Sequence, residues 1–151
     1  MSDTDVRIVP IAVEHRNDWD RLFQGYADFY RVDQTQAMRD RVWDWLNDPD
    51  ADTEGFVAVD ATGRCVGLTH FAKLTRPLHA ATACLLNDLF VEPDRRGEGI
   101  AEKLIEAVAQ VCAERGWTAV RWLTAETNYR ARGLYDQVAV KTPFLVYEQK
   151  L

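Results

Sequence analysis

The spacing of apolar residues along the chain predicts four helices. The clearest pattern spans residues 100–115, where apolar side chains recur every three or four positions and Gly116 follows as a stop signal. The same period recurs in three shorter stretches, at residues 15–31, 34–47 and 128–138. Each stretch has one apolar side, so each predicted helix is expected to bury that side.

Short apolar runs around these helices predict six strands. They lie at residues 6–9, 56–59, 65–71, 83–91, 119–124 and 144–147. Asp60-Ala61-Thr62-Gly63 predicts a hairpin turn between the second and third strands, and residues 75–79 are predicted to form a loop. The resulting order, β-α-α-β-β-β-α-β-α-β, indicates one mixed α/β domain over residues 1–151 with helices covering a sheet.

Charge and cysteine content narrow the classes of protein that this chain can be. A net charge of −6 argues against nonspecific binding to nucleic acid. No apolar run approaches the roughly 20 residues of a membrane helix, and the polar, acidic residues 1–5 do not fit a secretory signal. Cys65, Cys84 and Cys112 lack metal-ligand spacing, which predicts reduced core cysteines in a cytosolic protein without a metal.

A basic, glycine-rich turn leads into the predicted helix at residues 100–115. Arg95 and Arg96 supply positive charge, and Gly97 and Gly99 leave the backbone open to close approach. The first N–H groups of a helix have no partner within it and carry the positive end of its dipole, so this arrangement is typical of an anion site. The alternative is a tight turn in which the glycines serve geometry alone.

Two short motifs together point to a known family. Arg96-Gly97-Glu98-Gly99-Ile100-Ala101 fits the pattern Gln/Arg-x-x-Gly-x-Gly/Ala, and Asn128 is followed by Ala131 and by Leu134-Tyr135. With these motifs in this order of strands and helices, the chain resembles the GCN5-related N-acetyltransferases (GNAT) along essentially its full length. It looks closest to the small histone, polyamine and amino-acid acetyltransferases. The resemblance implies the acyl-CoA N-acyltransferase fold, with a mostly antiparallel central sheet flanked by helices.

The resemblance also implies a set of residues that bind acetyl-CoA. The backbone of the strand would pair with the pantetheine arm, the glycine-rich turn would face the pyrophosphate, and two side chains on the last helix would reach the cofactor. These residues are Leu89, Phe90 and Val91 in the strand, Arg96, Gly97, Glu98, Gly99, Ile100 and Ala101 in the turn, and Asn128 and Tyr135 in the last helix. The alternative for Asn128 is an ordinary helix N-cap.

Tyr135 is the predicted general acid. A phenol with a pKa near about 10 is neutral at working pH and can protonate a thiolate whose conjugate thiol has a pKa near about 8.5. The alternative is a packed tyrosine whose hydroxyl is satisfied elsewhere. Asp88 and Glu126 are the candidate bases, either directly or through water, and pairing with an arginine is the alternative for each. Relatives that acetylate polyamines often have Glu at the position of Asn87, so a base role does not transfer to that position.

The acceptor pocket is predicted between the first two helices, the loop around residues 75–79 and the last strands. Tyr26, Tyr30 and Asp33 are candidates for binding the acceptor, whereas a histidine inside a strand, such as His70, is more typical of packing than of a base. The predicted reaction is direct transfer of acetyl to a primary amine of a small molecule, polyamine or amino-acid-like. The alternatives are acetylation of protein lysines and noncatalytic acyl-CoA binding. The resemblance further implies a homodimer.

Overall fold

The computed structural model describes residues 5–151, so the predictions made on residues 1–4 lie outside the described part. Within residues 5–151, five strands and four α-helices make up the fold. The strands are β1 (Arg7–Pro10), β2 (Thr53–Val59), β3 (Cys65–Arg76), β4 (Ala81–Val91) and β5 (Val120–Arg121). The helices are α1 (Arg16–Phe29), α2 (Gln36–Leu46), α3 (Ile100–Glu114) and α4 (Tyr129–Val138).

The five strands form one sheet in the order β1-β2-β3-β4-β5. Neighbouring strands from β1 to β4 run antiparallel, and β5 joins β4 in parallel. The predicted fold class, a mixed and mostly antiparallel sheet flanked by helices, is therefore confirmed. The parallel step follows from chain order, because α3 carries the chain from the end of β4 back to the start of β5.

Helices cover both faces of the sheet, and each face has its own core. On one face, α3 buries Ile100, Leu104 and Val108 against the sheet, as its apolar period predicts. On the other face, α1 buries Trp19 and Leu22. The sheet thus fixes α1 and α3 on opposite sides of β4.

A β-bulge at Asn87 changes the direction of the side chains along β4. His70 of β3 is opposite Asp88, but the next residue, Phe71, is opposite Leu86, so Asn87 is the extra residue. Because side chains alternate between faces, the bulge lets Leu86 pack with α3 while Asp88 points with His70 toward α1.

β5 pairs with only the first half of β4. The two matched pairs are Cys84 with Val120 and Leu85 with Arg121. β4 continues to Val91, so no strand within residues 5–151 pairs with this edge of β4 beyond Leu85. The sheet is open at that point, between β4 and the segment that follows β5.

Three predictions about the strands were wrong. Residues 144–147 form no strand, because the short β5 offers no long edge for pairing within the chain, and residues 139–151 are exposed. β5 has two residues where residues 119–124 were predicted. β3 continues into the predicted loop at residues 75–79, because Thr75 and Arg76 pair with the start of β4.

None of the helices within residues 5–151 combines the length and apolar character needed to cross a membrane.

Candidate active site

An open cavity of about 350 Å³ lies where the end of β4, the start of α3, α1 and α4 come together. This volume falls in the range of small-molecule sites. Most of the predicted cofactor residues line it. The lining residues are Tyr26, Phe29, Tyr30, Leu89, Phe90, Val91, Arg95, Arg96, Gly97, Gly99, Ile100, Ala101, Glu102, Asn128, Arg130, Ala131, Leu134 and Tyr135.

The glycine-rich turn has a backbone that only glycine adopts readily. Gly97 and Gly99 have φ angles of 83° and 80°, in the left-handed region. Gly99 is the N-cap of α3 and has no side chain with which to cap it, so the first N–H groups of the helix remain available to a ligand. A Cβ added at either glycine would meet no protein atom within 4 Å, so packing is not what excludes a side chain there.

Arg95 and Arg96 differ in their partners. Arg95 is held by two carboxylates, Asp60 at 3.0 Å and Glu98 at 3.0 Å. Arg96 has no carboxylate within ion-pair distance among residues 5–151; it lies over the Phe29 and Phe90 rings and donates to the carbonyl oxygen of Val91. Both guanidinium groups border the cavity, but only that of Arg96 is free of an opposing charge.

Leu89, Phe90 and Val91 line the cavity along the open edge of β4. On its other edge, β4 is paired with β3, with Leu89 opposite Thr69 and Val91 opposite Gly67. The backbone at the open edge has polar groups that a strand-like ligand could pair with.

Asn128 occupies the N-cap position of α4, but its side chain does not cap the helix. Its amide nitrogen lies 3.5 Å from Oγ1 of Thr124, and the residue lines the cavity. The helix-capping alternative is therefore not what the geometry shows, and the side chain is available to a ligand.

Three tyrosines from two helices meet at the cavity. Tyr26 of α1 and Tyr30, the C-cap residue of that helix, have ring centroids 5.0 Å apart, and Tyr135 comes from α4. Burial raises the pKa of the Tyr135 hydroxyl, and the nearby Tyr30 raises it further. Burial also raises the pKa of Tyr26, as does the negative charge of Asp88. Both phenols thus stay protonated through the neutral range.

Asp88 stands behind the cavity wall rather than in the lining. Its Oδ2 lies 2.9 Å from Nδ1 of His70, and the side chain is 24% exposed. Its charge acts on Tyr26, which does line the cavity. The Tyr26 side chain therefore lies between Asp88 and the cavity. Asp88 pairs with a histidine rather than with an arginine.

Four other candidates lie outside the cavity lining. Glu98 is paired with Arg95, and Asp33 is exposed in the turn after α1. Glu126 is exposed, and its carbonyl oxygen accepts a hydrogen bond from Arg132 at 2.5 Å. His79, a further candidate for the acceptor pocket from the segment at residues 75–79, is exposed in the turn between β3 and β4. Their predicted roles remain predictions.

Several residues that line the cavity were not predicted from the sequence. Phe29 has the helical spacing of its aromatic neighbours, so its period could have indicated a place beside Tyr26. Glu102 belongs to the first turn of α3, next to the glycine-rich turn. Arg130 offers no signal beyond its closeness to Asn128.

The fold and this cavity place the chain among the acetyltransferases. The model of the Acetyltransferase (GNAT) family matches residues 19–139. A relative from Saccharomyces cerevisiae, D-amino-acid N-acetyltransferase HPA3, is 32% identical over 146 residues, which cover 95% of this chain and 91% of the relative. The chain belongs to the GNAT family, and it is an N-acetyltransferase.

One solved structure supports this assignment, and a second shares the fold. A ribosomal-protein-alanine N-acetyltransferase from Brucella melitensis biovar Abortus 2308 has a TM-score of 0.75 and 26% identity, with 97% of this chain and 99% of that chain covered. The aminoglycoside N-acetyltransferase AAC(6')-Iy in complex with CoA has a TM-score of 0.84 at 17% identity, with coverage of 96% and 94%. The second comparison shows the fold alone.

Proposed function

We propose that the protein transfers an acetyl group from acetyl-CoA to the primary amine of a small molecule, by direct attack in a ternary complex. One observation carries the proposal. A single cavity joins the open edge of β4, the glycine-rich turn at the start of α3 and the tyrosines of α1 and α4. These are the parts needed to hold a long anionic thioester and to act on its sulfur.

The residues present fit acetyl-CoA. The backbone of Leu89, Phe90 and Val91 offers an open strand edge for an extended, amide-containing arm. The turn from Arg96 through Gly97, Glu98, Gly99 and Ile100 to Ala101 offers backbone N–H groups for a diphosphate. Asn128 borders the same space, and Arg96 adds an uncompensated positive charge.

Tyr135 is the proposed general acid. Acetyl-CoA supplies an activated acyl carbon; the amine nitrogen forms a bond to it and the carbon–sulfur bond breaks, which leaves a thiolate. The raised pKa of Tyr135 keeps its hydroxyl protonated, so it can donate to the leaving sulfur. A backbone N–H beside the bulge in β4 is the proposed donor to the oxygen that carries charge in the transition state.

Asp88 is the proposed base, in preference to Glu126. An alkylamine has a pKa of about 10.4, which lies about 3.4 pKa units above pH 7, so nearly all of it is protonated. Forming the neutral amine without a base therefore adds roughly 4–5 kcal/mol to the barrier. Asp88 lies next to Tyr26 at the cavity wall, whereas Glu126 is exposed and does not line the cavity. The proton passes from the amine to Asp88 through water or the Tyr26 hydroxyl.

The acceptor is proposed to be small and amino-acid-like or polyamine-like. The yeast relative is named for D-amino acids, and its match extends along nearly the whole of both chains. Tyr26 and Tyr30 form the proposed acceptor side of the cavity. The Brucella structure is named for a protein acceptor, so a peptide amine is the second candidate.

The oligomeric state, the cellular location and the number of domains are also proposals. We infer a homodimer, because the apolar residues Val140, Phe144, Leu145, Val146 and Tyr147 are all at least two-thirds exposed in the segment that follows α4. A second copy would cover them and extend the sheet edge. Three free cysteines are buried, which supports a cytoplasmic location, and one core-forming sheet supports a single domain.

A panel of amines tests the proposed function. Release of free CoA is measured with D- and L-amino acids, polyamines, lysine analogues, aminoglycosides and short peptides, each with acetyl-CoA. We expect turnover with a small amine at a kcat/KM well above that of any peptide. Turnover confined to peptides would favour the protein acceptor, and no CoA release with any amine would contradict the proposal.

Asp88→Asn and Glu126→Gln form a matched pair for the base. We expect the Asn variant to lower kcat/KM for the amine and to change its pH profile, and the Gln variant to do neither. The reverse result would transfer the role to Glu126.

A further inference from the structure

Trp19, His70 and Asp88 form a chain of hydrogen bonds from the core under α1 to the cavity wall. Nε1 of Trp19 lies 2.9 Å from Nε2 of His70, and Nδ1 of His70 lies 2.9 Å from Oδ2 of Asp88. Trp19 and His70 are 0% and 1% exposed. Two buried polar side chains thus end on a carboxylate that adjoins the proposed acceptor site.

The Trp19 contact fixes which nitrogen of His70 carries the proton. An indole N–H can only donate, so Nε2 of His70 must accept. The ring proton is then on Nδ1, which donates to Asp88. Protonation of Nε2 would place two N–H groups against each other in a buried site, which is costly. His70 is therefore held neutral and is unsuited to be the base itself.

Packing and hydrogen bonds restrict the conformations of His70 and Asp88. The His70 ring meets the Phe23 ring edge-on with centroids 4.8 Å apart. Gly55, opposite His70 on β2, leaves room for the ring, since a Cβ there would come within 3.1 Å of His70 Cδ2. Oγ1 of Thr69 donates to the carbonyl oxygen of Asp88 at 2.7 Å. Asp88 is thus fixed through both its side chain and its backbone.

Few other titratable or charged groups face this chain of residues. From α1, Tyr26 faces Asp88, and the Arg16 guanidinium lies 5.6 Å from the centre of the Trp19 ring. β2 contributes Gly55, which has no charge. From α4, Tyr135 is close enough to affect Tyr26. His70 and Tyr26 are therefore the titratable side chains that meet Asp88 among the described residues.

We propose that Trp19 and His70 are positioning residues that orient the Asp88 carboxylate toward the acceptor amine. His70 occupies Oδ2 of Asp88, which leaves Oδ1 available to Tyr26 and to the acceptor. This proposal rests on the proposed function and deepens it, because it states why Asp88 can serve as a base from behind the cavity wall.

Trp19→Phe tests the proposal, with Trp43→Phe as its matched control. The Phe variant at position 19 keeps an aromatic ring but removes the N–H. Trp43 packs against Trp19 with ring centroids 5.1 Å apart, so its variant disturbs the same cluster without touching the hydrogen bond. Two measurements are made on each protein: the ¹⁵N NMR shifts of the His70 ring, assigned with His70→Gln, and the pH profile of kcat/KM for the amine.

In the wild type and in Trp43→Phe, we expect the Nδ1–H tautomer of His70, with Nε2 hydrogen-bonded to the indole N–H of Trp19. In Trp19→Phe, Nε2 of His70 loses its hydrogen-bond donor, so its ¹⁵N resonance should move. The kcat/KM for the amine should fall about tenfold near neutral pH, the effect of one lost hydrogen bond in a charged network. The deficit should shrink as pH approaches the amine pKa, because a neutral amine needs no base.

Three outcomes would overturn the proposal. The first is an unchanged Nε2 resonance of His70 in Trp19→Phe. The second is an equal loss of kcat/KM in both tryptophan variants, which would show packing alone. The third is a deficit that is the same at every pH. A wild-type protein that turns over no amine would instead reject the proposed function, while the NMR measurement would still decide whether Trp19 fixes His70.

Discussion

The ring of Trp122, just after β5, meets the ring of Tyr135 on α4 edge-on, with the two ring centroids 5.4 Å apart. The contact uses carbon atoms of the Tyr135 ring, and both residues pack against the core under α3. The position of the Tyr135 ring is therefore set by packing, and its hydroxyl can be removed without removing that packing.

Tyr135→Phe should accordingly lower kcat by about 100-fold, the usual contribution of a positioned acid, while KM for acetyl-CoA changes little. Steady-state kinetics of CoA release measure both constants. Tyr129→Phe is the control, because Tyr129 starts the same helix and is 72% exposed. Full activity of Tyr135→Phe would reject Tyr135 as the general acid and would make Tyr26 the next candidate for that role.

Gly99→Val and Gly63→Val separate the cost of backbone strain from the loss of a phosphate site. Both glycines have left-handed φ angles, 80° and 88°, with no protein atom near the missing Cβ. Each variant should lose roughly 1–2 kcal/mol of stability. Only Gly99→Val should raise KM for acetyl-CoA, by about tenfold or more, since only that site loses charged hydrogen bonds.

Urea unfolding and steady-state kinetics on both glycine variants make the comparison. Gly63 lies in the turn between β2 and β3, away from the cavity, so its KM should stay at the wild-type value. Equal KM values in the two variants would remove the glycine-rich turn from the cofactor site.

Arg96→Gln and Arg95→Gln should have different consequences. Arg96 faces the cavity with no opposing carboxylate among residues 5–151, so its loss should raise KM for acetyl-CoA by about tenfold. Arg95 is neutralised by Asp60 and Glu98, so its loss should change KM much less and lower stability slightly. The salt dependence of KM gives a second measurement, since the wild-type slope should flatten only in Arg96→Gln.

The local parts of the site could be predicted from the sequence because each depends on neighbouring residues. The glycine-rich turn and α3 are consecutive, so charge, glycine spacing and helical period all appear within residues 95–115. Asn128 and Tyr135 follow from a motif within one helix. These predictions needed no knowledge of which strands pair.

The environment of Asp88 depends on long-range pairing and could not be predicted. His70 meets Asp88 only because β3 and β4 pair in one register with a bulge at Asn87. A register without the bulge would place Leu86 and Asp88 on the same face. Trp19 is far from both in sequence, and its helical period indicated burial but not its partner.

The final strand was predicted from composition alone. Residues 144–147 are apolar and β-prone, but strand formation requires a partner edge, and β5 has only two paired residues. The exposed apolar side chains of residues 144–147 indicate a surface that another molecule covers. We therefore propose that a second copy of the protein covers it, rather than that the segment forms a strand within the chain.

The three cysteines should be inert in the folded protein. Burial raises the pKa of the Cys65 thiol to about 11 and that of Cys84 to about 12, and it also raises the pKa of Cys112. At pH 8 the reactive thiolate is therefore scarce, and access is blocked as well. We expect no fast reaction with a thiol reagent in the native state and three equivalents after unfolding in urea. Fast reaction of one thiol in the native state would contradict the buried placement.

Stability should fall as pH rises into the alkaline range. Native Cys65, Cys84, Tyr26 and Tyr135 all have raised pKa values, so the unfolded chain releases its protons first. Their contribution is complete below the ordinary pKa of a thiol, about 8.5, and is lost progressively above it as the unfolded thiols and then the phenols ionise. Urea unfolding at pH 7.5, 9 and 10 (chosen to bracket about 8.5) measures the decline. Tyr26→Phe should flatten its upper part, because it removes one phenol that ionises only when unfolded, whereas an unchanged slope in that variant would show that Tyr26 does not carry a raised pKa.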